Sequence, residues 1–282
     1  MQLTPWYGAD PIITIDGRPD AIAEPLLRQR RRLADLLASF TDDQWTHPSR
    51  CAGWTNRDVI THLQSTNAFW GFSIAMGLKG EPTQFLATFD PVASPAQLVA
   101  DAPDVSTDEL LGQFAASNEA LADQIAGLDE DGWGTTAEAP CGHVAIGTLA
   151  HHALWDGLIH ERDILLPLGL EPVEEADETL ASLRYVAALS PAFAVSRGEA
   201  PGGMLAVEPT DLDAAFTVKV TDRVAITDGT AATGADLLLT GAAVDLLEGL
   251  SLRTPLDQPV SEDAAWFIDG LMVTFDQAPG PR

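Results

Sequence analysis

Thr148-Leu-Ala-His-His-Ala-Leu-Trp-Asp-Gly-Leu-Ile-His160 is the stretch from which the rest of the chain can be ordered. Its apolar spacing predicts a helix over residues 146–168. A helix turns about 100° per residue, so His152, Asp156 and His160, four apart each time, share one face, while His151 points away from it. All six histidines of the 282-residue chain, His47, His62, His143, His151, His152 and His160, precede residue 161. One helix carrying imidazoles and a carboxylate on a single face, with His62 on another helix, is how a helical bundle can hold a metal ion.

Working outward, three more helices complete a four-helix bundle. The first spans about 19–40, with Ile22, Leu26, Leu33, Leu36, Leu37 and Phe40 as its apolar stripe and residues 28–32 turned mostly outward. Thr55, followed three residues later by Asp58, gives a capping-box pattern that starts a helix running to about residue 78 and carrying His62. A third helix is expected over 106–125. Residues 79–105, rich in proline and aspartate, cross between bundle ends. The loops before the histidine-bearing helices share an order, Trp45…Pro48…Cys51 and Trp133…Pro140…Cys141, which fits a bundle of two helical hairpins.

Beyond Gly169 the pattern changes. A helix over 174–193 bridges to short alternating runs at 204–208, 214–221, 223–227, 236–240 and 271–275, with a helix over 241–250 between the last two. Phe216, Val218 and Val220 alternate with polar residues, the period of a half-buried strand. The opening 1–16 reads as irregular but tied to the core through Trp6, Tyr7, Ile12, Ile13 and Ile15. The expected fold is an all-α four-helix bundle over residues 1–170 followed by a small α+β domain over 171–282.

Forty-two acidic against 15 basic residues give a formal charge of -27. That excess disfavours nucleic acid and anionic membranes as partners, since both need a basic footprint. No basic N-terminal segment precedes an apolar run and no apolar stretch approaches 18 residues, so neither secretion nor membrane spanning is expected. Two cysteines form no disulfide framework, which suits the cytoplasm. The expected state is a monomer, with a weak homodimer as the alternative. Gly-x-Ser-x-Gly, Walker and Gly-x-Gly-x-x-Gly motifs are absent.

Two imidazoles and a carboxylate, from His62, Asp156 and His160, would leave a position open on a zinc-like ion, as a catalytic site requires. The spacing of Asp156 and His160 is equally that of a plain hydrogen-bonded pair. His152 fits a fourth ligand, a partner orienting Asp156, or a bystander. His47 and His143 read as structural. Glu161 and Asp163 lie off the His160 face and are expected to meet solvent, Arg162 or the neighbouring domain. Cys51 and Cys141 precede helices, where a thiol pKa can fall, but read as packed residues.

The stretch Arg50-Cys-Ala-Gly-Trp-Thr-Asn-Arg-Asp-Val-Ile-Thr-His-Leu63 resembles the Cys-Pro-Gly-Trp-Thr-Val-Arg-Asp-Val-Val-Ala-His-Leu signature of the mycothiol-dependent maleylpyruvate isomerase family. That family is one of the DinB-like metal-binding four-helix bundles. Asp156-Gly-Leu-Ile-His160-Glu-Arg-Asp163-Ile-Leu is similar to its second signature, in which glutamate is usual where Asp156 stands; Ala52 replaces the customary proline. Gly203-Met-Leu-Ala-Val-Glu and Ala235-Asp-Leu-Leu-Leu-Thr-Gly-Ala-Ala-Val-Asp-Leu-Leu247 look like its sterol-carrier-like C-terminal domain. The resemblance therefore implies an all-α DinB-like four-helix bundle followed by a small α+β sterol-carrier-like domain. It places a divalent metal, zinc by preference, on His62, Asp156 and His160, with the shorter Asp156 leaving room for His152.

The activity it implies is a mycothiol-dependent cis–trans isomerisation of maleylpyruvate to fumarylpyruvate, by addition of a thiolate, bond rotation and elimination, or a related thiol S-transfer. The partners implied are a small-molecule thiol and an electrophilic acid, for which Arg197, Arg223 and Arg253 are the candidate cationic contacts. Two other readings stand beside it. One is a non-enzymatic small-molecule or lipid-binding module, the other a structural protein whose histidines are packing groups.

Overall fold

The structure, a computed structural model, describes residues 2–229 and 233–275. In chain order its regular elements begin with strand β1 (Ile13–Ile15), α1 (Ala23–Leu37), α2 (Asp42–Thr46), α3 (Asn56–Leu78), α4 (Ala93–Ala100), α5 (Thr107–Ile125) and α6 (Glu130–Gly134). A hairpin of β2 (Thr136–Ala139) and β3 (Gly142–Ala145) leads into α7 (Ile146–Leu165) and α8 (Ala176–Ser196). Strands β4 (Gly203–Pro209), β5 (Phe216–Val220), β6 (Val224–Asp228) and β7 (Leu237–Gly241), then α9 (Ala243–Leu250) and α10 (Trp266–Thr274), complete it. This is the expected DinB-like helical bundle followed by a small α+β domain. No helix among the described residues is long and apolar enough to cross a membrane.

The bundle consists of α1, α3, α5 and α7, but not as two hairpins of neighbouring helices. α1 packs on α5 and α7, and α3 packs on the same two helices, so consecutive helices of each expected hairpin face one another across the diagonal. The connections over residues 38–55 and 126–145 are long enough to cross a bundle end, and each contains structure of its own. Thr55 and Asp58 form the expected capping box, each side chain bonding the other's backbone N–H, and so fix the first turn of α3.

α7 is buried on nearly all sides, with the bundle on one flank and α8 on the other. One apolar cluster runs from Leu26 and Trp70 through Leu154 and Leu183 to Val207 and Leu247, joining the bundle to the C-terminal sheet. A second cluster, around Leu33, Val59, Leu63, Phe114 and Ile164, closes the bundle beside His62.

Three further expectations are corrected. The opening segment is not irregular throughout: β1 pairs in parallel with β6 and forms an edge of the C-terminal sheet, whose order is β1-β6-β5-β4-β7. Ile12 and Ile13, both fully buried, hold it there. Residues 271–275 are not a strand. They belong to α10 and its C-cap, because Phe267, Gly270 and Leu271 form a helical stripe against α8. Gly270 is needed at that crossing, since a Cβ would lie 2.0 Å from the Ser190 carbonyl oxygen. Finally, Gln29 and Arg30 are buried rather than outward, and Arg28 and Arg32 reach carboxylates on α8.

Candidate metal centre

His62 sits in the second turn of α3 and faces Asp156 and His160 on α7. One ligand atom from each residue lies within 4.8 Å of the others. His160 Nε2 is 3.6 Å and His62 Nε2 is 3.9 Å from the same oxygen, Asp156 Oδ1. Thr66, one turn after His62, donates to Asp156 Oδ2 at 3.4 Å. The three sequence-predicted positions are thus brought together from two helices.

The electrostatics favour donors over acids. Burial pulls the His62 pKa down and outweighs the opposing pull of Asp156, so its imidazole is neutral with a lone pair to offer. Burial would raise the Asp156 pKa, but the hydrogen bond from His62 and the charge of His160 hold its carboxyl below the usual range. His160 behaves in the opposite sense: burial lowers its pKa, yet the hydrogen bonds to Asp163 and Cys51, with Asp156 nearby, raise it to about 10. Its Nδ1 stands 3.0 Å from Asp163 Oδ2, which fixes the ring with Nε2 toward Asp156. A carboxylate holding the remote nitrogen of a metal-binding histidine is the usual support for such a ligand.

Asp163 and Cys51 were not among the expected site residues. Asp163 has no solvent exposure and accepts from Arg50 Nε at 2.9 Å, Arg253 Nη2 at 2.8 Å and Cys51 Sγ at 3.2 Å as well as His160. The neighbouring domain is indeed its partner, through Arg253, but solvent is not. Glu161 is likewise buried, held by Gln29 and Arg32. Cys51 Sγ, 3.5 Å from His160 Nδ1, belongs to a second convergent group with His160 and Asp163. Two guanidinium groups already sit on that carboxylate, and a cation there would meet them. Among the described residues no guanidinium is hydrogen-bonded to the His62 group, which opens onto a cavity.

Arg30 lies beneath Asp156, 1% exposed, with Nη2 on the Ala153 carbonyl. Gly157 makes room for it, since a Cβ there would be 1.9 Å from Nη1. His152 lines the cavity one turn before Asp156, but its Nδ1 is 2.9 Å from the Tyr185 hydroxyl and its ring packs against Trp70 and Trp155. It stands outside the group of three donors. His47, His143 and His151 each place a ring nitrogen against a backbone carbonyl, those of Pro48, Thr83 and Gly147.

The cavity, about 610 Å³, lies between the bundle and the C-terminal domain, with His62, Asp156 and His160 in its lining. Of the three candidate arginines, Arg253 lines it. Arg197 bonds Glu199 and the lining residue Thr274. Arg223 pairs with Asp10 at 2.9 Å, near the start of β6. Arg253 is aimed by an unusual turn: α9 ends with Leu252 N–H on Gly249 and Arg253 N–H on Glu248, and Leu252 takes φ +61°, where glycine is usual. Leu252 and Arg253 both reach the cavity as a result.

Comparison with known proteins gives a matching picture. The family model for the mycothiol maleylpyruvate isomerase N-terminal domain matches residues 26–165. A crystal structure of the mycothiol-dependent maleylpyruvate isomerase aligns with a TM-score of 0.58 at 18% identity, covering 87% of this chain and 93% of that one. A histidine-to-alanine variant of that isomerase aligns with a TM-score of 0.59 at the same identity and coverage. At that identity the likeness is one of fold. No curated protein matches the chain.

Proposed function

Because residues 26–165 belong to the mycothiol maleylpyruvate isomerase N-terminal domain family, we propose that the chain is a thiol-dependent metalloenzyme with His62, Asp156 and His160 as the ligands of a divalent ion, preferably zinc. The observation that carries this reading is the convergence of three buried or half-buried donors at one end of a cavity between two domains. Two imidazoles and one carboxylate are a donor set typical of catalytic zinc, which keeps a position for an exchangeable ligand. When bound, such an ion supplies a Lewis acid at which a thiol is held as its thiolate.

The chain's own residues prepare that chemistry. His62 presents a neutral ring, Asp163 orients His160, and Thr66 bonds the oxygen of Asp156 that faces away from the imidazoles. Arg30, below the centre, offsets the negative charge of Asp156 within the core. The apolar walls exclude water from the thiolate, which strengthens every charge interaction there. Mycothiol is the thiol that the family membership favours, and the reaction is either cis–trans isomerisation through reversible thiolate addition or S-transfer.

Cobalt-loaded protein titrated with mycothiol tests the proposal. A thiolate-to-metal charge-transfer band should grow in the near ultraviolet and saturate at one thiol per chain. Cobalt that binds without any such band on thiol addition would remove the thiol-dependent reading.

A further inference from the structure

Resting on the metal-centre reading, we propose that Arg30 is a positioning residue of that centre, a buried cation that weakens the hold on the metal ion and keeps the thiol bound there as thiolate at lower pH. The sequence of α1 puts Arg30 where an apolar side chain belongs. Leu26, Leu33 and Leu37 form the buried stripe of that helix, and Arg30 falls on the same stripe between Leu26 and Leu33. It is as buried as they are. For a side chain with five N–H donors its bonds are few. Nη2 donates to the Ala153 carbonyl at 2.9 Å and Nη1 to Gln29 Oε1 at 3.5 Å, while Nε is buried without a partner. A charge buried with so little satisfaction opposes folding, so a core position holds one only where the charge serves a site.

Gly157 fixes where that charge lies. A Cβ at this position would overlap both Arg30 Nη1 and Gln29 Oε1, so the guanidinium rests against the backbone of α7 beside Asp156. At about 100° per residue, Ala153 and Gly157 lie on the stripe of α7 next to the one that carries Asp156 and His160. Burial lowers the Arg30 pKa to about 10 against the pull of Asp156 and Glu161, which leaves it a cation at neutral pH. Its charge reaches the donors: burial is the main cause that lowers the pKa values of His62 and His152, and Arg30 adds to it in both.

The other guanidinium groups around the centre each have a carboxylate of their own. Arg32 pairs with Glu161 and Glu178, Arg50 with Asp163 and Glu248, and Arg253 with Asp163. Arg30 forms no ion pair among the described residues. Of the remaining titratable groups, His160 and Cys51 are bonded to Asp163, and His152 is held neutral against the Tyr185 hydroxyl. α5 also packs on α1, and its buried residues carry no charge. The unpaired charge of Arg30 therefore acts on the His62 group. It repels a divalent ion held there and attracts an anion bound to that ion, through protein rather than water, where charges act more strongly.

The test compares Arg30→Met, Arg30→Gln and Arg30→Lys with the parent protein, the folding of each verified by thermal melting. Zinc affinity is read by competition with a chromophoric chelator. The thiolate is read as the pH at which the charge-transfer band of cobalt-saturated protein is half developed at one fixed mycothiol concentration. Removing the charge, in Arg30→Met and Arg30→Gln, should tighten zinc binding roughly tenfold and raise that midpoint by about one pH unit. Arg30→Lys, which keeps the charge, should return both toward the parent values. A residue that only supports the fold would weaken zinc binding when replaced. Zinc affinity unchanged or lowered in both uncharged variants, or a midpoint that does not rise, would overturn the proposal. A parent protein that binds no zinc would remove the metal centre and this role together. A parent that binds zinc but gives no thiolate band would count against the thiol reading alone, and the zinc affinities would still decide the part played by Arg30.

Discussion

Asp163 joins more of this site than any other residue: it orients His160, receives the Cys51 thiol and accepts from both Arg50 and Arg253 without touching solvent. Breaking a buried ion pair from one side leaves its partner's charge uncompensated, so Asp163→Asn should cost roughly 3–5 kcal/mol of stability. The same change should weaken metal binding roughly 10–100-fold through His160 alone, since no ligand is removed. Chemical denaturation and a competitive metal titration measure the two effects separately, and unchanged metal affinity would mean that the Asp163 contact does not support the centre. Histidine spacing made Asp156, His160 and His62 legible in the sequence. Asp163, only three residues past His160, reads from sequence as lying off the His160 face, yet i and i+3 positions are neighbours on a helix and its carboxylate reaches Nδ1 while Nε2 points to Asp156. Cys51 was legible only as a residue of the matching motif, since nothing local to it reports that α7 passes within hydrogen-bond range.

At the scale of elements, periodicity located the long helices well, because α3, α5 and α7 carry caps or apolar stripes that speak for themselves. It failed where a short element is defined by its partner. β1 exists through β6, and the β2–β3 hairpin through Ser73 and Trp6 on other elements. The end of α10 reads as a strand because four apolar residues among five, Leu271, Met272, Val273 and Phe275, fit either period. Its packing rests on Gly270, which brings its backbone against Ser190 of α8. Alanine normally favours a helix interior by about 1 kcal/mol over glycine. Here Gly270→Ala should instead destabilise by roughly 1–3 kcal/mol, because the clash is with backbone that cannot rotate away. A melting temperature at or above that of the parent protein would show that α10 does not pack so closely.

Over the whole molecule, the bundle and the C-terminal domain are joined by apolar packing through α8 and by charge. Arg50 and Arg162 meet Glu248 of α9, and Arg253 meets Asp163 of α7. These links set an acid limit. Burial would raise the Asp163 and Glu248 pKa values, but the hydrogen bonds from His160 and Arg253, and from Arg50 and Arg162, hold both below their ordinary 3.8 and 4.5. As pH falls the unfolded chain takes up these protons first, so the stability they confer is complete above about pH 4.5 and is lost below it. Burial also lowers the His152 pKa to about 4 from 6.5, so its contribution, up to ~3 kcal/mol, is lost between those values. Metal-free protein should therefore lose stability in two stages, one between pH 6.5 and 4 and a steeper one below 4.5, the latter reduced in Glu248→Gln. A melting temperature constant from pH 7 to 4 would contradict this. The central claim, that His62 and the Asp156–His160 pair act as one ligand set across two helices, is tested most directly by isothermal titration of metal-free protein with zinc in two buffers of different ionisation enthalpy. With the His160 pKa raised to about 10, zinc must displace its proton, so the expected result at pH 7 is one zinc and about one proton released per chain, with binding abolished in His62→Ala. Zinc binding that survives in His62→Ala, or no zinc binding at all, would contradict it.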